Sequence, residues 1–157
     1  MNKNVYIMMG MSGSGKSSWI RKNVPNAFIA SADNFFYRLG KDTYQFDKTK
    51  LGSAHKTAQN DFIKALDDDS IENIVVDNTN TKLSSMRPYV MEANLRGYPV
   101  TIVVVLADPE VAAARNLHKV PLEATQKMHR EILDTLKIGF PENWDIKEII
   151  QVDNTSK

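Results

Sequence analysis

Val5-Tyr6-Ile7-Met8-Met9-Gly10-Met11-Ser12-Gly13-Ser14-Gly15-Lys16-Ser17-Ser18 is the stretch that decides the fold. Its first five residues form an unbroken apolar run, the pattern of a strand buried on both faces. Gly10 to Ser17 then matches G-x-x-x-x-G-K-[ST], the phosphate-binding loop pattern. Glycines in such a loop let successive backbone N–H groups turn inward around an anion. A helix-compatible run from Lys16 to Lys22 follows, and its N-terminus points at the same anion. The loop therefore predicts nucleotide phosphate contacts from Gly10, Met11, Ser12, Gly13, Ser14, Gly15, Lys16, Ser17 and Ser18. Lys16 reaches the β- and γ-phosphates and Ser17 ligates Mg²⁺.

The rest of the chain alternates short apolar runs with amphipathic segments. Strands are predicted at Ala27–Ala30, Ile74–Asp77, Thr101–Leu106 and Glu148–Val152. A helix from about Lys50 to Leu66 places Leu51, Ala54, Ala58, Phe62 and Leu66 on one face. The next carries Leu83, Met86, Val90 and Ala93. Pro88 predicts that it begins only at Ser84 or Ser85, because proline is tolerated in a first turn. A short helix runs from Asp108-Pro109-Glu110 through Asn116, and Leu117 to Val120 connects it onward. Pro121 then opens a helix with Leu122, Thr125, Met128, Ile132 and Leu136 on its buried side. This order predicts an α/β fold: a parallel sheet of about five strands with helices on both faces, in one domain over residues 1–157.

Composition bounds the function. The chain has 157 residues and a net charge of +1. That is not the footprint of a protein coating long nucleic acid, though it leaves room for a short basic channel. There is no cysteine, which excludes disulfides and thiolate metal sites. The N-terminal apolar run ends at the glycine loop, so no signal peptide is expected there. The later run Val100–Ala107 is too short to span a bilayer. A cytoplasmic protein with no membrane partner is expected.

Ligands of such sheets sit at the carboxyl ends of the strands. That rule selects the polar residues leaving each strand: the glycine loop, Asp33, Asp77 and the segment around Asp108. Asp33 follows the second strand and suits a general base for phosphoryl transfer to an alcohol; the bland alternative is a helix N-cap. Asp77 ends the third strand. If that strand neighbours the first, Asp77 stands beside the Mg²⁺ position; otherwise it is a turn residue with Asn78. Arg115, His118 and Lys119 follow the fourth strand and read either as a basic lid or as solvated surface. His55 and His129 read as ordinary helix residues.

Gly10–Ser17, Ser31-Ala32-Asp33-Asn34-Phe35, Val75-Val76-Asp77-Asn78-Thr79-Asn80 and Arg115-Asn116 before Val120-Pro121 together resemble the kinase domain of phage-type 5′-hydroxyl polynucleotide kinases and their small P-loop relatives. The resemblance covers nearly the whole chain. It implies a P-loop kinase sheet and transfer of the γ-phosphate of ATP to a 5′-OH of DNA or RNA. It also implies that Lys16 and Ser17 hold phosphate and Mg²⁺, that Asp33 is the general base, that Arg115 is the lid arginine and that Asp77 is a supporting acid. The chain departs from the pattern at Phe36, where the phage enzymes carry an arginine; the nearest arginine here is Arg38. A kinase for a small hydroxylated metabolite, nucleoside or modified base is the alternative, sharing Lys16, Ser17 and Asp33. A guanine-nucleotide switch is disfavoured, since the chain has no N-K-x-D and no D-x-x-G after Asp77.

Overall fold

The computed structural model describes residues 3–40, 44–115 and 120–155. Five strands form one sheet: β1 (Asn4–Gly10), β2 (Phe28–Ala30), β3 (Asn73–Val76), β4 (Val100–Ala107) and β5 (Ile146–Asn154). Their spatial order is β2-β3-β1-β4-β5 and every pairing is parallel. Among the described residues the connections carry six α-helices: α1 (Lys16–Asn23), α2 (Ala32–Leu39), α3 (Leu51–Leu66), α4 (Leu83–Leu95), α5 (Pro109–Arg115) and α6 (Leu122–Ile138).

The central strands are apolar on both sides because helices cover both sides. Val5, Ile7 and Met9 of β1 join Phe62 of α3, Met86, Tyr89 and Val90 of α4 and Ile132 of α6 in the larger core. Met8 points the other way and meets Val75, Val103, Val105 and Ile20 of α1. The two edge strands read differently. β2 has only three residues, and β5 alternates half-buried with exposed positions.

Three helix details differ from the sequence reading. α4 begins at Leu83, so Pro88 lies in its second turn. Proline there supplies no N–H to the Ser84 carbonyl, and Ser84 is exposed, so water can take that bond. Leu51 and Leu122 are 39% and 41% exposed, because each is the first residue of its helix and overhangs the core. Pro121 is the N-cap of α6, one residue before the helix proper, and its carbonyl accepts the Thr125 N–H at 3.1 Å. Of the short helix expected through Asn116, residues up to Arg115 are helical; Asn116, Leu117, His118 and Lys119 lie outside the described residues. No helix among the described residues is long and apolar enough to cross a membrane.

Candidate active site

Four of the five strands deliver a polar segment to the same edge of the sheet. β1 runs into the glycine loop. Gly10 is still in the ladder, paired with Val105. A Cβ there would stand 2.8 Å from Ser14 Oγ and 2.9 Å from the Val105 carbonyl oxygen. Backbone cannot retreat, so the position requires glycine. Gly15 has φ +112 and forms the N-cap of α1, which has no side-chain cap. The first amides of α1 therefore remain available to an anion.

The Lys16 ammonium curls over the loop and donates to the Gly10 carbonyl at 2.7 Å and the Met11 carbonyl at 3.2 Å. Its burial pushes its pKa down, while Asp77 and Asp33 both pull it up. Ser14 Oγ is buried with no hydrogen-bond partner. An under-compensated cation, an orphaned hydroxyl and an uncapped helix terminus are a donor set fitted to a polyphosphate. Ser17 and Ser18, on the first turn of α1, are exposed.

β3 is paired with β1, the condition under which Asp77 stands beside the loop. Asp77 is half-buried. Burial pushes its carboxyl pKa up, Lys16 pulls it back and Asp33 pushes it further. A carboxylate whose burial outweighs the cations around it fits a further cation, and the exposed Ser17 hydroxyl is an oxygen donor of the hard type that Mg²⁺ takes. No group of three or more acidic or histidine ligands occurs among the described residues.

Asp33 is not the N-cap of α2. Ser31 is, and its hydroxyl accepts the Asp33 N–H at 3.1 Å. Asp33 thus sits in the first turn with its carboxylate released from capping, in a position the helix dipole favours for a negative charge. The Tyr44 hydroxyl donates to Asp33 Oδ1 at 3.4 Å. The start of α2 is also held from β3, since the Asn78 side chain accepts the Ala32 N–H at 2.9 Å.

Lys16, Asp77 and Asp33 are therefore brought together, each acting electrostatically on another. Arg115 is not part of that contact set. It is exposed at the end of α5, with no hydrogen bond or ion pair among the described residues. The rest of the expected basic lid, His118 and Lys119, lies outside the described residues.

Three supporting residues escaped the sequence reading. The Asn154 amide, at the end of β5, donates to the Ser14 carbonyl at 3.1 Å. The Asn80 amide donates to the Met8 carbonyl at 2.7 Å, from a backbone with φ 48 that asparagine tolerates better than most residues. Tyr44, whose hydroxyl meets Asp33, is the third. Asn80 carried a signal, as an asparagine in a run leaving a strand. Asn154 and Tyr44 carried none, because their partners are remote in sequence.

A five-stranded parallel sheet in the order 2-3-1-4-5, with a phosphate loop after its central strand, defines the P-loop kinase class. Comparison with known proteins takes this further. The family model described as "AAA domain" matches residues 5–142, and the chain belongs to that family of ATP-binding P-loop domains. It is 35% identical over 129 residues to NEDD4-binding protein 2 of Homo sapiens, covering 78% of this chain and 7% of that protein. A structure of the Pnkp1/Rnl/Hen1 RNA repair complex is similar with a TM-score of 0.70 at 19% identity, over 88% of this chain and 47% of that one. Shikimate kinase from Acinetobacter baumannii in complex with shikimate is similar with a TM-score of 0.56 at 16% identity, over 96% and 83%. The chain thus spans a small part of the curated relative and about half of the repair-complex chain. At these identities the two structures speak for the fold, which is that of the P-loop kinases.

Proposed function

We propose that this kinase transfers the γ-phosphate of ATP to the 5′-hydroxyl of a DNA or RNA end. The observation that carries the proposal is the convergence of Lys16, Asp77 and Asp33 at the carboxyl edge of β1, β3 and β2. In this reading Gly10, Met11, Ser12, Gly13, Ser14, Gly15, Lys16, Ser17 and Ser18 cradle the ATP phosphates. Asp33 accepts the proton of the acceptor hydroxyl as that oxygen bonds to the γ-phosphorus and the bond to the bridging oxygen of ADP breaks. Lys16 balances the charge that accumulates on the phosphoryl oxygens. Ser17 and Asp77 would hold Mg²⁺, which when bound would neutralise phosphate charge. Arg115, exposed at the end of α5, would serve as the lid arginine, its fork suited to phosphate. The resemblance of the Asp33 and Asp77 segments to 5′-hydroxyl polynucleotide kinases supports the choice of acceptor, as does the fold shared with a component of an RNA repair complex.

A small hydroxylated acceptor is the second reading. The net charge of +1 favours it, and so does Arg38, which is paired with Asp61 at 2.8 Å. One assay separates the two: γ-labelled ATP and Mg²⁺ with a panel of 5′-OH oligonucleotides, nucleosides and sugars. Label on the oligonucleotides supports the proposal. Label on a small alcohol alone, with none on any oligonucleotide, contradicts it.

A further inference from the structure

The edge of the sheet opposite the phosphate loop holds a cleft of about 620 Å³. It opens at the amino ends of β1, β4 and β5, on the face that α1 covers. Its volume is within the range of small-molecule sites, roughly 300–1,000 Å³. Strand register builds its floor. Tyr6 pairs with Thr101 and Thr101 with Glu148, so the three stand in one row across three strands, on one face. The half-buried Trp19 of α1 meets Tyr6, ring centroids 6.0 Å apart, and forms a wall. Val24 and Ile150 add apolar surface.

Three observations point to a ligand. Thr101 lines the cleft and is only 8% exposed, yet its hydroxyl makes no hydrogen bond among the described residues. Buried hydroxyls are normally partnered. Next, the β4–β5 ladder is irregular here: Val100 pairs with Ile146 and Thr101 with Glu148, which leaves Lys147 as an extra residue. A bulge of this kind re-aims side chains. A regular strand would send Lys147 and Glu148 to opposite faces, but both line this cleft. Finally, neither of these two side chains makes an ion pair or hydrogen bond among the described residues. The other cation of the lining is engaged elsewhere, since Lys3 donates to the Asp68 and Ile71 carbonyls. The cleft therefore presents one uncommitted ammonium, one uncommitted carboxylate and a buried hydroxyl beside an apolar wall.

A simple anion entering here meets the Glu148 carboxylate, and a simple cation meets the Lys147 ammonium. A molecule that carries both charges close together is attracted by both residues. We infer that the cleft binds a free α-amino acid with an apolar side chain. Its ammonium faces Glu148 and its carboxylate faces Lys147. The Thr101 hydroxyl, which both donates and accepts, bonds to one of the two. The apolar side chain lies against Trp19, Val24 and Ile150. The site is separate from the phosphate loop, which follows the other end of β1, and it does not depend on which acceptor the kinase uses.

The test is titration calorimetry of the full chain with L-phenylalanine, L-leucine and L-methionine, each with and without saturating ATP and Mg²⁺. At least one of the three is expected to bind at one site per chain, and ATP should not displace it. The N-acetyl amide of the same amino acid lacks both charges and should bind roughly 10- to 150-fold more weakly, the scale of losing a hydrogen bond to a charged group. Glu148→Gln and Lys147→Met should each weaken binding on the same scale at an unchanged melting temperature, because both side chains are exposed. Thr101→Val keeps the volume and should weaken binding roughly 2- to 12-fold. Of the two tryptophans, Trp144 is buried and Trp19 borders the cleft, so binding should change a fluorescence signal that Trp19→Phe removes. No saturable binding by any of the three amino acids would overturn the inference. Equal binding of the uncharged derivative would overturn it too. So would displacement by ATP, or undiminished binding in both Glu148→Gln and Lys147→Met, since either places the ligand elsewhere.

Discussion

The Asn154 side chain donates to the Ser14 carbonyl at 3.1 Å, joining the last strand to the phosphate loop across 140 positions of sequence. The same amide nitrogen would stand 2.8 Å from a Cβ at residue 15, so it also borders the glycine that starts α1. Removing it loosens the loop without touching the core. A single hydrogen bond contributes about 0.5–1.5 kcal/mol net, so Asn154→Ala should weaken ATP binding roughly 2- to 12-fold. ATP titration calorimetry checks this, with a thermal melt showing that the fold is unchanged.

Lys16 has a depressed pKa because its ammonium is buried more than Asp77 and Asp33 compensate. A base with a lowered folded-state pKa is more protonated in the unfolded chain, so stability rises with pH between that lowered value and the ordinary 10.5. Lys16→Met removes the buried charge. The ligand-free variant should melt no lower than wild type at neutral pH and should lose the alkaline gain in stability. Phosphoryl transfer should fall about 10²–10³-fold or more, the scale of losing one preorganised charge-stabilising donor. Melting curves at several pH values and a label-transfer assay read the two effects separately.

Asp77 has the opposite sign. Its raised pKa means that the folded state holds the proton more tightly, so its contribution to stability declines as pH rises from the ordinary 3.8 through the raised value. Asp77→Asn mimics the protonated form. At neutral pH the variant should be at least as stable as wild type while phosphoryl transfer and its dependence on Mg²⁺ concentration both worsen. A variant with wild-type kinetics across a Mg²⁺ titration would remove Asp77 from the metal site.

Local signals made most of the fold legible. The apolar runs of β1 and β4, the glycines of the loop and the aspartates at the ends of β2 and β3 each carry their meaning within a few residues. Features that depend on three-dimensional neighbours were not legible. Ser31 and Asp33 are both competent caps, and only the geometry assigns the cap to Ser31. Leu51 and Leu122 fit the apolar stripes of α3 and α6 but overhang the sheet. Pro88 sits in a second turn because the packing of Met86, Tyr89 and Val90 on the core holds the helix through it. The edge strand β5 extends from Ile146 to Asn154, past the expected ends, since pairing with β4 rather than burial sustains it.

The cap assignment gives a control for the catalytic claim. Ser31→Ala removes the side-chain acceptor at the start of α2 and should cost about 0.5–2 kcal/mol of stability. That loss should appear in a denaturant melt. If the variant were as stable as wild type, the cap would not rest on Ser31.

Asp33→Asn tests the central claim. The substitution preserves shape and, with Ser31 as the cap, leaves helix α2 intact; it removes the proton acceptor. The measurement is the single-turnover rate of phosphate transfer from ATP to a 5′-OH oligonucleotide, with melting temperature and ATP affinity determined on the same sample. The account predicts a stable protein that binds ATP normally and transfers phosphate roughly 10²–10⁴-fold more slowly. A stable, ATP-binding Asp33→Asn protein that phosphorylates the 5′-hydroxyl at the wild-type rate would contradict it.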